Sequence, residues 1–181
     1  MIFAANSAGV FEYLCPEWTN YTGQTPKEYF GNGWLERVHA DDRQVVRSIF
    51  SEAVIDEAAF SIRFRVQCAD GATRWIGAGG VPSFGPPGRT FLGYLGSMTE
   101  MATSATDVLV AYGTVGSFTP PPPHLSTMPV SSLDMVADHL LIAHALVAEG
   151  DDKRALPAVR EALLLVGRGL ARQSKPGTRI N

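Results

Sequence analysis

Between Phe60 and Cys68 the chain alternates. Phe60, Ile62, Phe64, Val66 and Cys68 are apolar, and Ser61, Arg63, Arg65 and Gln67 between them are polar. A period of two predicts a strand with one buried and one wetted face. Asp70-Gly71 predicts a tight turn into a second strand over residues 74–81. The loop Pro86-Pro87-Gly88 precedes a third over 90–99. Upstream, residues 2–5 and 10–15 read as short strands around the turn Asn6-Ser7-Ala8-Gly9.

Helical signals fill the space between these two sets. Pro16 opens a first short helix and Gly23 ends it. Thr25-Pro26-Lys27-Glu28 has the cap, first-turn proline and glutamate of a capping box. A longer helix is predicted over 41–55, with Val45, Val46, Ile49, Phe50 and Ala53 on one face. Asp41 and Asp42 stand at its start, where capping and the helix dipole favour carboxylates. Strands, short helices, one longer helix and three more strands predict an α+β fold, an antiparallel sheet with helices on one face.

The character of the chain then changes. Residues 102–130 carry little charge and include Pro120 to Pro123, which predicts an extended, semi-rigid linker. From Ser131 onward Leu, Ala, Val and charged residues dominate. Ser131-Ser132-Leu133-Asp134 opens a helix with the stripe Leu133, Val136, Leu140, Ala143 and Val147. Gly150-Asp151-Asp152 separates it from a second helix with the stripe Val159, Leu163, Val166 and Leu170, which starts late or kinks at Pro157. The expected organisation is a domain over 1–101, a linker over 102–130, a helical hairpin over 131–174 and a flexible tail over 175–181.

Four segments of the first domain resemble a known family. Trp18-Thr19-Asn20-Tyr21-Thr22-Gly23 is similar to the "W..YTG" segment of PAS domains. Gly33-Trp34-Leu35 and Val38-His39-Ala40-Asp41-Asp42-Arg43 resemble the "GW...VHPDDR" stretch of the subclass common in bacterial sensor kinases and diguanylate cyclases. Phe64-Arg65-Val66, followed by Asp70-Gly71-Ala72-Thr73-Arg74-Trp75, looks like its "yRvr..DGs.RW". Gly93 and Gly96-Ser97-Met98-Thr99 match its last strand. The resemblance implies a PAS fold with a five-stranded antiparallel sheet. It also implies a ligand cleft between sheet and short helices. Its lining candidates are Trp18, Tyr21, Phe30, Trp34, His39, Phe64, Trp75 and Tyr94, with filling of the core by these rings as the competing reading. The family's "D-I-T" signal junction reads Glu100-Met101-Ala102 here, and the proline of "HPDD" is Ala40.

The residues point to no catalytic chemistry. The chain has no G-x-S-x-G elbow, no phosphate loop and no H-E-x-x-H. Gly77-Ala78-Gly79-Gly80 falls inside a strand, where close packing explains it better than phosphate binding. His139 and His144 are five apart and face different sides of a helix, so no shared metal site is expected. Cys15 and Cys68 form no CxxC pair and read as reduced thiols. The expectation is no cofactor, with FAD or haem as alternatives and His39 as the haem-ligand candidate. The "GxNCRFLQ" segment of the light-sensing relatives has no counterpart beside Trp34.

A net charge of −3 gives no broad attraction to nucleic acid or anionic lipid. The amino terminus lacks a basic leader, and no apolar run approaches the ~20 residues of a membrane span. These features predict a cytoplasmic protein with neither membrane nor nucleic acid as partner. Function is expected to be signal transduction: a PAS sensor of a small molecule relaying through a signalling protein partner, with the hairpin forming a homodimer. A ligand-free PAS interaction module and a sensor histidine kinase fragment are the alternatives. Lys153, Arg154, Arg160, Arg168, Arg172, Lys175 and Arg179 make the last segment basic, a solvated face or a surface for an acidic partner.

Overall fold

A computed structural model describes residues 1–85, 89–102 and 110–173. The five expected strands form: β1 (Ile2–Asn6), β2 (Phe11–Leu14), β3 (Phe60–Gln67), β4 (Thr73–Gly85) and β5 (Thr90–Glu100). A sixth, β6 (Tyr112–Val115), comes from the segment expected to be a linker. The sheet is antiparallel in the order β2-β1-β5-β4-β3-β6.

β6 pairs with the first half of β3, from Phe60↔Val115 to Arg63↔Tyr112. Arg63 donates to the Tyr112 hydroxyl at 2.7 Å and lies over its ring. Four residues in a weakly polar stretch are too short a pattern for alternation to reveal the strand.

On one face sit α1 (Pro16–Thr22), α2 (Pro26–Tyr29) and α3 (Arg43–Asp56). α1 ends on Gly23 in the left-handed region at φ 77°, as its sequence predicts. Glu28 reaches back to the Thr25 amide at 2.7 Å. Between α2 and α3 run two tight turns, Gly33–Arg37 and Ala40–Asp42.

The other face is covered by α4 (Ser132–Glu149) and α5 (Leu156–Gln173). α4 packs on β5 and β1, and α5 on β4, β5, β1 and β2. The helical pair therefore buries its surface on its own sheet, giving three layers. Pro157 sits in the first turn of α5, where its missing N–H is harmless.

α4 does not present the expected stripe to the sheet. Its buried residues are Asp134, Ala137, Leu141, His144 and Ala145, while Val136 is 45% exposed. Apolar residues surround this helix, so periodicity alone does not choose the face. The polar contacts of Asp134 do: Tyr13 on β2 donates to it at 2.9 Å, and Ser131 donates at 2.7 Å.

Close approach explains two glycines. A Cβ on Gly96 would lie 2.2 Å from the Phe3 ring, and one on Gly79 would lie 2.6 Å from the Phe118 ring on the opposite face. The glycine-rich stretch of β4 thus lets residues beyond β6 lie flat across the sheet.

Candidate functional site

The inner face of the sheet and α3 enclose an aromatic cluster. Phe3 stacks on Phe11 with centroids 4.9 Å apart, Phe11 meets Trp34 at 4.7 Å, and Phe60 meets Tyr94 edge-on at 5.4 Å. The cavity left among them is about 20 Å³ and wholly apolar, bounded by Phe3, Phe11, Trp34, Phe50, Phe64 and Met98 among others. That holds at most one water. Ligand pockets for planar cofactors run to about 300 Å³ or more. Neither FAD nor haem fits here without displacing the core.

The eight expected lining residues separate. Trp34 and Phe64 border the cavity. Tyr94 belongs to the same cluster, and its hydroxyl bonds the carbonyls of Ala53 and Ala58. Trp18 is fully buried in α1, its indole N–H donating to Gln24 at 3.0 Å. Phe30 is 58% exposed, at an open groove with Pro16, Lys27 and Tyr29 beside edge strand β2. Trp75 lies under the Arg65 guanidinium at 5.7 Å.

His39 lies in a turn. Its Nδ1 accepts from the Asp41 amide at 3.4 Å, and it does not border the cavity. Phe3, Phe11, Val46, Phe50, Phe60, Ile62, Ala78 and Met98 also line the cavity, and the family motifs do not point to them. The alternation of β3 already placed Phe60 with Phe64, and the apolar face of α3 carried Phe50.

Asp42 has a different role from the capping expected of it. Asp42 makes no cap bond to α3. Its fully buried carboxylate takes Arg65 at 2.6 and 3.0 Å, the Arg65 amide at 2.8 Å and the Ala111 amide at 3.1 Å. Burial alone would raise its pKa; the bonds from Arg65 and Ala111 more than offset this and leave it lowered.

Tyr21 and the junction residues form a second polar centre. Glu100, the last residue of β5, accepts from Tyr21 of α1 at 3.0 Å and from Ser126 at 2.5 Å. Arg74 and His124 lie 3.8 and 3.9 Å from it. Its amide donates to Thr127 Oγ1 at 3.1 Å. Met101 donates from its backbone to Trp75 at 2.8 Å, and Ala102 follows at the edge of the described residues. Burial, followed by Cys68 and Glu100, pushes the Tyr21 hydroxyl above its ordinary pKa, so it remains a donor. Among the described residues no three His, Cys, Asp or Glu side chains group as a metal site, and no helix is long and apolar enough to cross a membrane.

An antiparallel sheet with short helices over an aromatic core defines the PAS fold, a general signal-sensing module, and the PAS fold family model matches residues 11–92. The chain contains a PAS domain. It is 33% identical over 114 residues to the uncharacterized protein y4lL of Sinorhizobium fredii; the match takes in 61% of this chain and 14% of that protein's length. The LOV protein of Rhodobacter sphaeroides is similar in fold, with a TM-score of 0.50 and 16% identity over 94% of this chain and 87% of that one. Cycle PAS-B of Drosophila melanogaster aligns at 15% identity and a TM-score of 0.45, over 55% of this chain and 98% of that chain.

Proposed function

We propose that this chain is a non-catalytic cytoplasmic signalling module in which the PAS sheet and the helical pair are read as one unit. Its state passes from β5 to α4 through Glu100. The carrying observation is that Glu100 ties three elements to the end of β5: α1 through Tyr21, β4 through Arg74, and the turn Leu125–Thr127 before α4 through Ser126 and Thr127. A shift at the end of β5 changes the entry geometry of α4 without any change in the filled core. Packed elements of this kind switch between discrete arrangements.

A signalling protein is the output partner in this reading, and a second copy of the chain is the partner of the exposed side of α4. Met135, Val136 and Leu146 of that helix remain exposed, a patch that suits association.

A double-mutant cycle of Glu100→Gln and Ser126→Ala tests the relay. A coupling of about 0.5–3 kcal/mol in unfolding free energy supports a working contact. Additive single effects would remove the basis of the proposal.

A further inference from the structure

A second cleft shares none of the residues that line the small aromatic cavity. It has a volume of about 330 Å³ and lies where the end of α3, the β4–β5 corner and the helical pair meet. This is the lower end of the about 300–1,000 Å³ typical of ligand sites. Its walls include Phe84 and Phe118 with several alanines, and its ionisable groups are Arg89, Arg160, His144, Glu57 and Glu149.

These charges are not used up by one another. Among the described residues neither guanidinium has a carboxylate within 4.0 Å, and neither carboxylate has a cationic partner. Arg89 lies over the Phe84 ring at 4.6 Å. Arg160 donates from Nε to His144 Nε2 at 3.4 Å. An imidazole accepting at Nε2 carries its proton on Nδ1. That Nδ1 is buried and has no partner among the described residues, on a side chain only 7% exposed. Burial, with Arg160 beside it, lowers the pKa of this histidine, consistent with a neutral ring.

From this geometry we infer that the cleft binds a small zwitterion of the free amino-acid class, carboxylate toward Arg160 and Arg89, ammonium toward Glu57 and Glu149, and side chain against Phe84 and Phe118. A net-neutral site that offers two cationic and two anionic groups beside aromatic side chains suits a molecule that carries both charges, since such a ligand engages both pairs at once and a simple anion or cation engages only one. Such a ligand touches the PAS sheet at Phe84 of β4 and the helical pair at Arg160 and Glu149. The inference thus supplies an input to the proposed relay, although binding itself does not depend on Glu100.

Isothermal titration of the full chain with each of the proteinogenic L-amino acids tests it directly. The expected result is saturable binding of at least one of them. Arg160→Gln and Glu149→Gln, each with wild-type circular dichroism, should weaken it about tenfold or more. The decarboxylated and deaminated analogues of the same amino acid should fail to compete. Arg89→Gln replaces either variant if one does not fold. No binding by any amino acid overturns the inference, as does binding that these variants leave unchanged or that one analogue reproduces. Glu100→Gln should leave the affinity unaltered, which separates failure of this site from failure of the relay.

Discussion

The Asp42 carboxylate holds the Arg65 guanidinium in a fork at 2.6 and 3.0 Å while also taking the Arg65 backbone amide. This pair fastens the turn before α3 to β3, just beyond the end of β6, and a fourth bond, from the Ala111 amide, draws in the chain entering β6. Arg65 in turn covers Trp75, its cross-strand partner. Removing one member of a buried, hydrogen-bonded ion pair costs about 3–5 kcal/mol. Asp42→Ala should fall in that range by urea unfolding, and Asp41→Ala, on an exposed side chain, should stay within about 0.5 kcal/mol.

The same pair predicts a pH dependence. Asp42 has a lowered pKa when folded, so its contribution is present above the ordinary carboxylate value of about 3.9 and is lost as pH falls toward the folded value. Asp134 runs the other way. Burial raises its pKa, against the bonds from Ser131 and Tyr13, so its contribution is greatest at low pH and fades as pH rises through the raised value. Asp42→Asn should flatten the acid limb of stability against pH, and Asp134→Asn should flatten the limb above it. Thermal unfolding across pH 3–7 (roughly the carboxylate range) checks both, and unchanged profiles would contradict these assignments.

Core closure is testable at Gly96. A Cβ there meets both the Phe3 ring and the Gly79 carbonyl, at 2.2 and 2.3 Å, so neither neighbour alone can yield. Gly96→Ala should destabilise by about 1–3 kcal/mol or more in urea titration. The wild-type chain, freshly purified, should show no flavin or haem band and a native mass equal to that of the polypeptide. A retained planar cofactor would mean that the aromatic cluster opens.

The exposed side of α4 predicts a dimer in solution. Light scattering should give twice the chain mass, and Val136→Glu with Leu146→Glu should return it to the monomer. A monomer mass independent of concentration for the wild type would rule out this partner.

Much of this architecture was legible in the residues, because alternation and turn chemistry are local. Phe60 to Gln67 form the strand that their period of two predicts, and Gly23 and Glu28 end and cap the helices their positions indicate. What the sequence could not show depends on distant partners. Asp42 looks like a cap until Arg65 arrives from another strand, and the seated face of α4 depends on Tyr13, 121 residues away. β6 exists because β3 offers it an edge. The aromatic residues of family motifs pointed to a cleft, but Trp18, Phe30 and Trp75 face three different surroundings, and only neighbouring elements decide which.

Hydrogen exchange followed by mass spectrometry on Glu100→Gln against the wild type tests the relay most directly. Loss of the Tyr21 and Ser126 contacts should speed exchange in residues 124–149, while β3, β4 and the cluster around Phe3 keep wild-type protection. Unchanged exchange in 124–149, or a uniform rise across the whole chain, would contradict a relay through Glu100.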